Sequence, residues 1–293
     1  MKTTTILISV LAILSACNNG RSTISSASLS TEKIKVADQG VNIVYDDSKT
    51  GDTTLLFIHG WGINRGYWAD QAAHFSGKYR VVTLDLPGFG ESGKNRKSWT
   101  VADFARDVNS LMGALALKHV ILVGHSMSGA IALETALTDT GRVIAVVGID
   151  NFKNVGTAET AQEEKEKADF YKAARMDYKN TVNKFAAILF SSSTDSLVRR
   201  RVMNDIDSAD PTIAIDCLEG SDAYSIDAKL PQLKKTLYLI NSDYIPTDTS
   251  GFLKNKIDYS LFRMGVTGHY PMIEDPKEFD RLLQQVIDKV GRR

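Results

Sequence analysis

Ser126 stands in the run Gly124-His125-Ser126-Met127-Ser128-Gly129. Residues 119–123 before it are apolar and read as a buried strand, and residues 130–137 after it read as a helix. Small residues at 124, 128 and 129 let a tight strand-to-helix turn close without side-chain collisions. A serine at such a turn projects its Oγ above the sheet, where the free N–H groups of the new helix also point. That is the setting of a nucleophile for acyl transfer. A serine that opens a helix is also an ordinary N-cap, so the reading depends on a base, an acid to orient it and an oxyanion site.

Five histidines are present, His59, His74, His119, His125 and His269, and of these His269 alone follows the serine turn. It lies in Gly265-Val266-Thr267-Gly268-His269-Tyr270, a loop between the last strand and the last helix, and is the candidate base. The preferred acid is Asp243, which follows the apolar run 236–240 and completes the order Ser126, Asp243, His269. Asp150 is the rival, because it ends the apolar run 143–149. The oxyanion donors are assigned to the backbone N–H of Met127, next to the nucleophile, and of Trp61, where the flanking Gly60 and Gly62 let the backbone approach a substrate oxygen. His59 reads as a brace for that loop, and Asp85 as a local anchor for the loop Pro87-Gly88.

These residues need a scaffold that brings the ends of several strands together. Residues 33–36 and 41–45 read as a hairpin, and continuous apolar runs at 54–58, 80–85, 119–123, 143–149, 236–240 and 257–262 read as strands. Helical patterns at 67–75, 100–115, 130–137 and 276–290 separate them, with Thr100 as a cap. Such an alternation predicts an α/β fold, a mostly parallel sheet with helices on both faces. The pattern breaks after Asp150, so residues 151–225 are predicted to form a helical cap between core segments 33–150 and 226–293. In that cap, Glu163 to Lys167 reads as a solvated helix face. Phe170, Tyr171, Tyr178, Phe185 and Phe190 form a helical stripe that either packs the cap or lines an apolar pocket. Cys217, Trp68 and Trp99 read as packing residues.

The 293 residues carry zero net charge, which offers nothing to nucleic acid or an anionic surface. Two cysteines, Cys17 and Cys217, are too few for a disulfide framework or a zinc site. Lys2 and the short apolar run 6–14 have the form of a secretory leader, and Leu14-Ser15-Ala16-Cys17 is similar to a bacterial lipobox. Residues 1–17 are therefore expected to be a lipoprotein signal peptide ending at the lipidation site Cys17, and residues 18–32 a flexible tether. The expected location is the bacterial cell envelope, outside the cytoplasm.

The motifs His59-Gly60-Trp61-Gly62, Asp85-Leu86-Pro87-Gly88-Phe89-Gly90-Glu91-Ser92, Gly124-His125-Ser126-Met127 and Gly268-His269, with Asp243, together resemble the α/β-hydrolase superfamily over nearly the whole mature chain. The first two motifs look like its carboxylesterase branch, and the Ser126-Met127-Ser128 turn is similar to small signal-linked hydrolases and their receptor relatives. Two departures stand out: Ser128 occupies the place of the usual glycine, and the acid loop has Asn241 and an early Pro246. The resemblance implies an α/β-hydrolase fold with a helical cap and a metal-free, cofactor-free hydrolysis of small carboxylic esters. Amide or carbon–carbon bond hydrolysis on the same triad, or slow turnover in a small-molecule receptor, are the alternatives it leaves open. The serine nucleophile speaks against dehalogenase and epoxide-hydrolase chemistry, where aspartate is usual.

Overall fold

The computed structural model describes residues 29–35 and 40–292. The leader, the lipobox cysteine Cys17 and the tether as far as residue 28 lie outside the described residues.

The strands are β1 (Ser30–Lys35), β2 (Asn42–Asp47), β3 (Thr54–Ile58), β4 (Arg80–Leu84), β5 (Val120–His125), β6 (Val143–Ile149), β7 (Leu237–Asn241) and β8 (Tyr259–Arg263). Among the described residues they form one eight-stranded sheet in the order β1-β2-β4-β3-β5-β6-β7-β8. The β1–β2 and β2–β4 pairs are antiparallel, and every later pair is parallel. Strands β3, β5 and β7 are buried at every position, as continuous apolar runs covered on both faces must be. Strand β1 starts inside the expected tether. Thr31 and Glu32 pair with Asp46 and Tyr45, and the Tyr45 hydroxyl donates to Glu32 at 2.8 Å. An edge strand with water on one side needs no apolar alternation, so its polar sequence does not announce it.

The helices are α1 (Ala69–Phe75), α2 (Val101–Ala114), α3 (Ser128–Thr138), α4 (Ala161–Met176), α5 (Tyr178–Ala187), α6 (Ser196–Ser208), α7 (Pro211–Asp222), α8 (Ile226–Lys229), α9 (Ser250–Lys254), α10 (Pro271–Glu274) and α11 (Pro276–Val290). Helix α2 begins with a capping box in which Thr100 and Asp103 satisfy each other's backbone N–H. Helix α11 begins at Pro276 with Asp275 as its cap, and turns Phe279, Leu283 and Val286 into the core. Burying each such side chain is worth about 1.5–3 kcal/mol. Trp68 is gripped between Phe57 of β3 and Phe279 of α11, with ring centroids 5.0 and 6.1 Å away. Helix α3 is buried from Ser128 through Ala136 and packs on β5, β6 and α2.

Helices α4 to α8 fall between β6 and β7. The Glu163–Lys167 stretch faces water apart from half-buried Lys167, and its lysines pair with Asp169 and Glu159. The aromatic stripe divides by role. Tyr171 and Tyr178 bind cap partners, Asp222 and the Ile206 carbonyl, whereas Phe185 and Phe190 face the core at Trp61 and Tyr270.

Candidate active site

The site forms where β5 and β6 end side by side. Ser126 follows β5 in a left-handed conformation (φ +53°), and Asp150 follows β6 in another (φ +48°). Each costs of order 1 kcal/mol for a residue with a Cβ, a strain the packing around the turn must hold. The register pairs His125 with Ile149, and Ser126 N–H donates to the Ile149 carbonyl at 2.9 Å, so the two strained residues are neighbours. Gly124 lets α3 descend on β5, since a Cβ there would lie 2.2 Å from the Ser128 carbonyl oxygen. Ser128 itself is fully buried, and its hydroxyl donates to the His59 carbonyl. The residue that departs from the usual glycine thus ties the serine turn to the 59–62 loop.

His269 joins the two strand ends. Its Nε2 lies 2.8 Å from Ser126 Oγ and its Nδ1 lies 2.6 Å from Asp150 Oδ2. A carboxylate only accepts, so Nδ1 carries the proton and Nε2 is left to accept from the serine hydroxyl. The histidine loop is held from several sides. His269 N–H donates to the Leu189 carbonyl of the cap at 2.8 Å, and Gly268 and Tyr270 N–H donate to Glu274 at 2.8 and 3.1 Å.

Asp243, the expected acid, does not reach His269; the carboxylate that contacts the imidazole is that of Asp150. Asp243 is partly exposed and pairs with Arg263, while Asp150 sits on His269. The reason lies in the sheet. Strand β6 is next to β5, one strand nearer the serine than β7, so its end is the place from which a short side chain reaches the imidazole. The loop after β7 contributes a backbone donor instead, with Ser242 N–H on Asp150 Oδ1 at 2.9 Å. Lys153, which the sequence reading passed over, places its ammonium 2.7 Å from the same oxygen. Burial pushes the Asp150 pKa up, but the His269 hydrogen bond and charge and Lys153 outweigh it, and the net shift is downward.

The His59–Gly62 loop passes directly over the serine. A Cβ on Gly60 would lie 3.1 Å from Ser126 Cβ and 2.5 Å from His125 Nδ1, so no side chain is tolerated there. Among the described residues, neither Trp61 N–H nor Met127 N–H donates to a protein acceptor. The Trp61 indole N–H donates to the Ala214 carbonyl of α7 at 2.7 Å. His59 is fully buried and braces the loop. Its Nδ1–H donates to the Gly60 carbonyl at 2.7 Å and its Nε2 accepts from Leu86 N–H at 2.9 Å, while burial lowers its pKa. Asp85 accepts N–H bonds from Arg65 at 2.8 Å and Glu91 at 2.9 Å, anchoring the 86–91 loop.

His125 has a role that sequence reading left unassigned. Burial, then the neighbouring His269, push its pKa down to about 3, so it is neutral. Its Nε2–H donates to the His269 carbonyl at 2.7 Å, which ties the His269 backbone to the end of β5.

A family model described as alpha/beta hydrolase fold matches residues 53–276. The chain belongs to this family. It is 34% identical over 125 residues to the dihydrolipoyllysine-residue acetyltransferase component of the acetoin cleaving system from Cupriavidus necator, a match covering 41% of this chain and 33% of that protein. The chain therefore spans only a third of that relative. It is 26% identical over 181 residues to the pimeloyl-[acyl-carrier protein] methyl ester esterase of Cronobacter sakazakii, covering 61% of this chain and 68% of that protein. Among solved structures, a bromoperoxidase from Bacillus anthracis superposes with a TM-score of 0.78 at 22% identity, over 88% of this chain and 100% of that one. At that identity the superposition speaks for the fold alone.

Proposed function

We propose that this member of the alpha/beta hydrolase family is a serine hydrolase that cleaves small carboxylic esters. The observation that carries the reading is the unbroken hydrogen-bonded line Ser126–His269–Asp150, with steps of 2.8 and 2.6 Å. Ser126 Oγ attacks the ester carbonyl as His269 Nε2 takes its proton. The carbonyl oxygen becomes an oxyanion facing the N–H groups of Trp61 and Met127. Collapse of the tetrahedral intermediate breaks the ester C–O bond, and His269 returns the proton to the departing alkoxide. A water then gives a proton to His269 and attacks the acyl group, releasing the acid and restoring the Ser126 hydroxyl. Asp150 holds the Nδ1–H tautomer and stabilises the transient imidazolium. The ester class is supported by the likeness to the pimeloyl ester esterase. The test is hydrolysis of nitrophenyl esters of increasing acyl length by the full chain in detergent, with labelling by a fluorophosphonate. Turnover and labelling that both vanish in Ser126→Ala are expected. Absence of both in the unaltered protein overturns the proposal.

We further propose that the protein is lipid-anchored through Cys17 in the bacterial cell envelope and meets its esters outside the cytoplasm. Its support is the leader-and-cysteine pattern of residues 1–17. Cells fed labelled palmitate are expected to label the protein, and Cys17→Ser to abolish that label and release the protein from the membrane fraction. Equal labelling of both overturns the anchor.

A further inference from the structure

Zero net charge speaks against an anionic partner only where the two signs are evenly mixed, and in this fold they are not. The parallel strands β3 to β8 all start at the end of the sheet away from Ser126 and Asp150. The chain brings a cation into most of those starts: Lys78 before β4, Lys118 before β5, Lys234 and Lys235 before β7, and Lys256 before β8. Arg292, just past α11, joins them, because it lines a groove of about 490 Å³ with Thr53, Tyr79 and Ile144 from the same strand starts. All are exposed except half-buried Lys235, and none forms an ion pair with a described residue. Carboxylates are fewer here. Asp139 and Asp47 are cancelled by Arg142 and Arg80, which leaves Asp52, Asp258 and Asp288. Asp258 accepts from the Thr236 hydroxyl and Asp288 from the Gln284 amide.

We propose that this end of the sheet rests on an anionic phospholipid bilayer, so that the candidate active site faces the surrounding water. The inference builds on the membrane reading above. A negative leaflet attracts such a surface by roughly fivefold in affinity for each Lys or Arg brought close. The groove adds an apolar element. It continues past Ile144 and Val290 to Lys234 and Lys235, so its floor lies between Arg292 at one end and two lysines at the other. The path of the chain agrees. Strands β1 and β4 are both antiparallel to β2, so β1 runs toward the site and Ser30, its first residue, lies on the side of the strand starts. Cys17, proposed as the anchor, stands twelve residues before Leu29, a span of about 40 Å at full extension. In this orientation the esters that reach Ser126 are dissolved in water, and lipids within the bilayer are not its substrates.

Basic residues also complement the C-terminal ends of helices, several of which gather at this end. Lys235 does so, with its Nζ 3.2 Å from the Thr140 carbonyl, and Lys78 lies over the Tyr79 ring at 5.1 Å. Lys118, Lys234, Lys256 and Arg292 have no such protein acceptor among the described residues. Their charge is left for something outside the fold.

The test is sedimentation of the full chain carrying Cys17→Ser, which removes the lipid from the comparison, with vesicles of phosphatidylcholine alone or with phosphatidylglycerol. Tighter binding to the anionic vesicles, weakening as salt is raised, is expected. Lys234→Gln, Lys235→Gln and Arg292→Gln together are expected to weaken it on the order of a hundredfold. Lys172→Gln, Lys184→Gln and Arg200→Gln, exposed cations of the cap, change the net charge equally and should weaken it by less than about threefold. Equal weakening by the two sets, or equal binding to both kinds of vesicle, overturns the proposal. A face variant with a lower Tm and unchanged binding also overturns it and leaves these cations as complements of helix ends. Capture by dextran sulfate without retention on vesicles overturns the bilayer as the occupant. Fluorophosphonate labelling of Ser126 is expected to proceed at the same rate in free and vesicle-bound protein, and its suppression on vesicles would overturn the orientation. A chain that binds through this face but never labels would instead overturn the serine-hydrolase reading and leave the docking surface standing.

Discussion

The two candidate acids can be separated by single-residue chemistry. Asp150 and Asp243 both follow buried strands and both lie between Ser126 and His269 in the chain, so chain order does not distinguish them. The distances do. Asp150 Oδ2 is 2.6 Å from His269 Nδ1, whereas Asp243 is bound to Arg263 at the surface. Asp150→Asn would present an amide that can donate to Nδ1, favouring the tautomer whose Nε2 cannot accept from Ser126. A loss of kcat on the order of 10^4-fold is expected. Asp243→Asn removes only a partly exposed ion pair, worth about 0–1 kcal/mol, and kcat is expected to stay within about twofold. Steady-state hydrolysis of one nitrophenyl ester by both variants checks this, and the opposite ranking would return the acid to Asp243.

At the scale of elements, the segment between β6 and β7 holds parts of the candidate site. The Trp61 indole N–H is fixed on the Ala214 carbonyl of α7, and the His269 N–H on the Leu189 carbonyl beyond α5. Trp61 and His269 are thus both anchored on the excursion between β6 and β7. Trp61→Phe keeps the ring's bulk and removes one buried hydrogen bond, worth about 1 kcal/mol. If that bond positions the Trp61 backbone, kcat falls about fivefold while Tm moves by only a few degrees. An unchanged kcat would show that the glycines around Trp61 fix the loop without the cap. The core elements were legible in the sequence because β3, β5, β6 and β7 are apolar runs that only a doubly covered sheet explains. The contact between Ser126 and His269 was legible because a strand-to-helix turn and a single downstream histidine leave few options. The carboxylate that meets His269 was not, because it depends on which strand lies next to β5, a fact of sheet order and not of chain order. Lys153 was invisible for a related reason. Its meaning comes from the Ser242 and Ile245 carbonyls, about ninety residues away in the chain.

Over the whole molecule, cap and core meet around a buried ion pair that has no part in the chemistry. Arg96 binds Asp107 of α2, with side chains 1% and 2% exposed. Its guanidinium lies over Trp99 and Phe104, 4.5 and 4.4 Å from their centroids, and Trp99 in turn packs against α7 at Gly220. Burial pushes the Asp107 carboxyl up to about 6, outweighing the pull of Arg96. The folded protein therefore keeps a proton that the unfolded chain releases at its ordinary value of 3.8, so this group costs stability as pH rises from there to about 6. Arg96→Met removes the guanidinium that holds the Asp107 pKa down, so at pH 7 the folded variant takes up a proton that the unfolded chain does not bind, a loss on the order of 1–3 kcal/mol. Near pH 4 the folded variant holds Asp107 protonated, so the loss should shrink. In Arg96→Met with Asp107→Leu no buried charge remains, and stability at pH 7 should return to within about 1 kcal/mol of the unaltered protein. Urea unfolding of the three proteins at both pH values decides the point. An equal loss in the single variant at pH 4 and pH 7 would mean that Arg96 acts by filling space between Trp99 and Phe104, and that its charge contributes little to joining the cap and core.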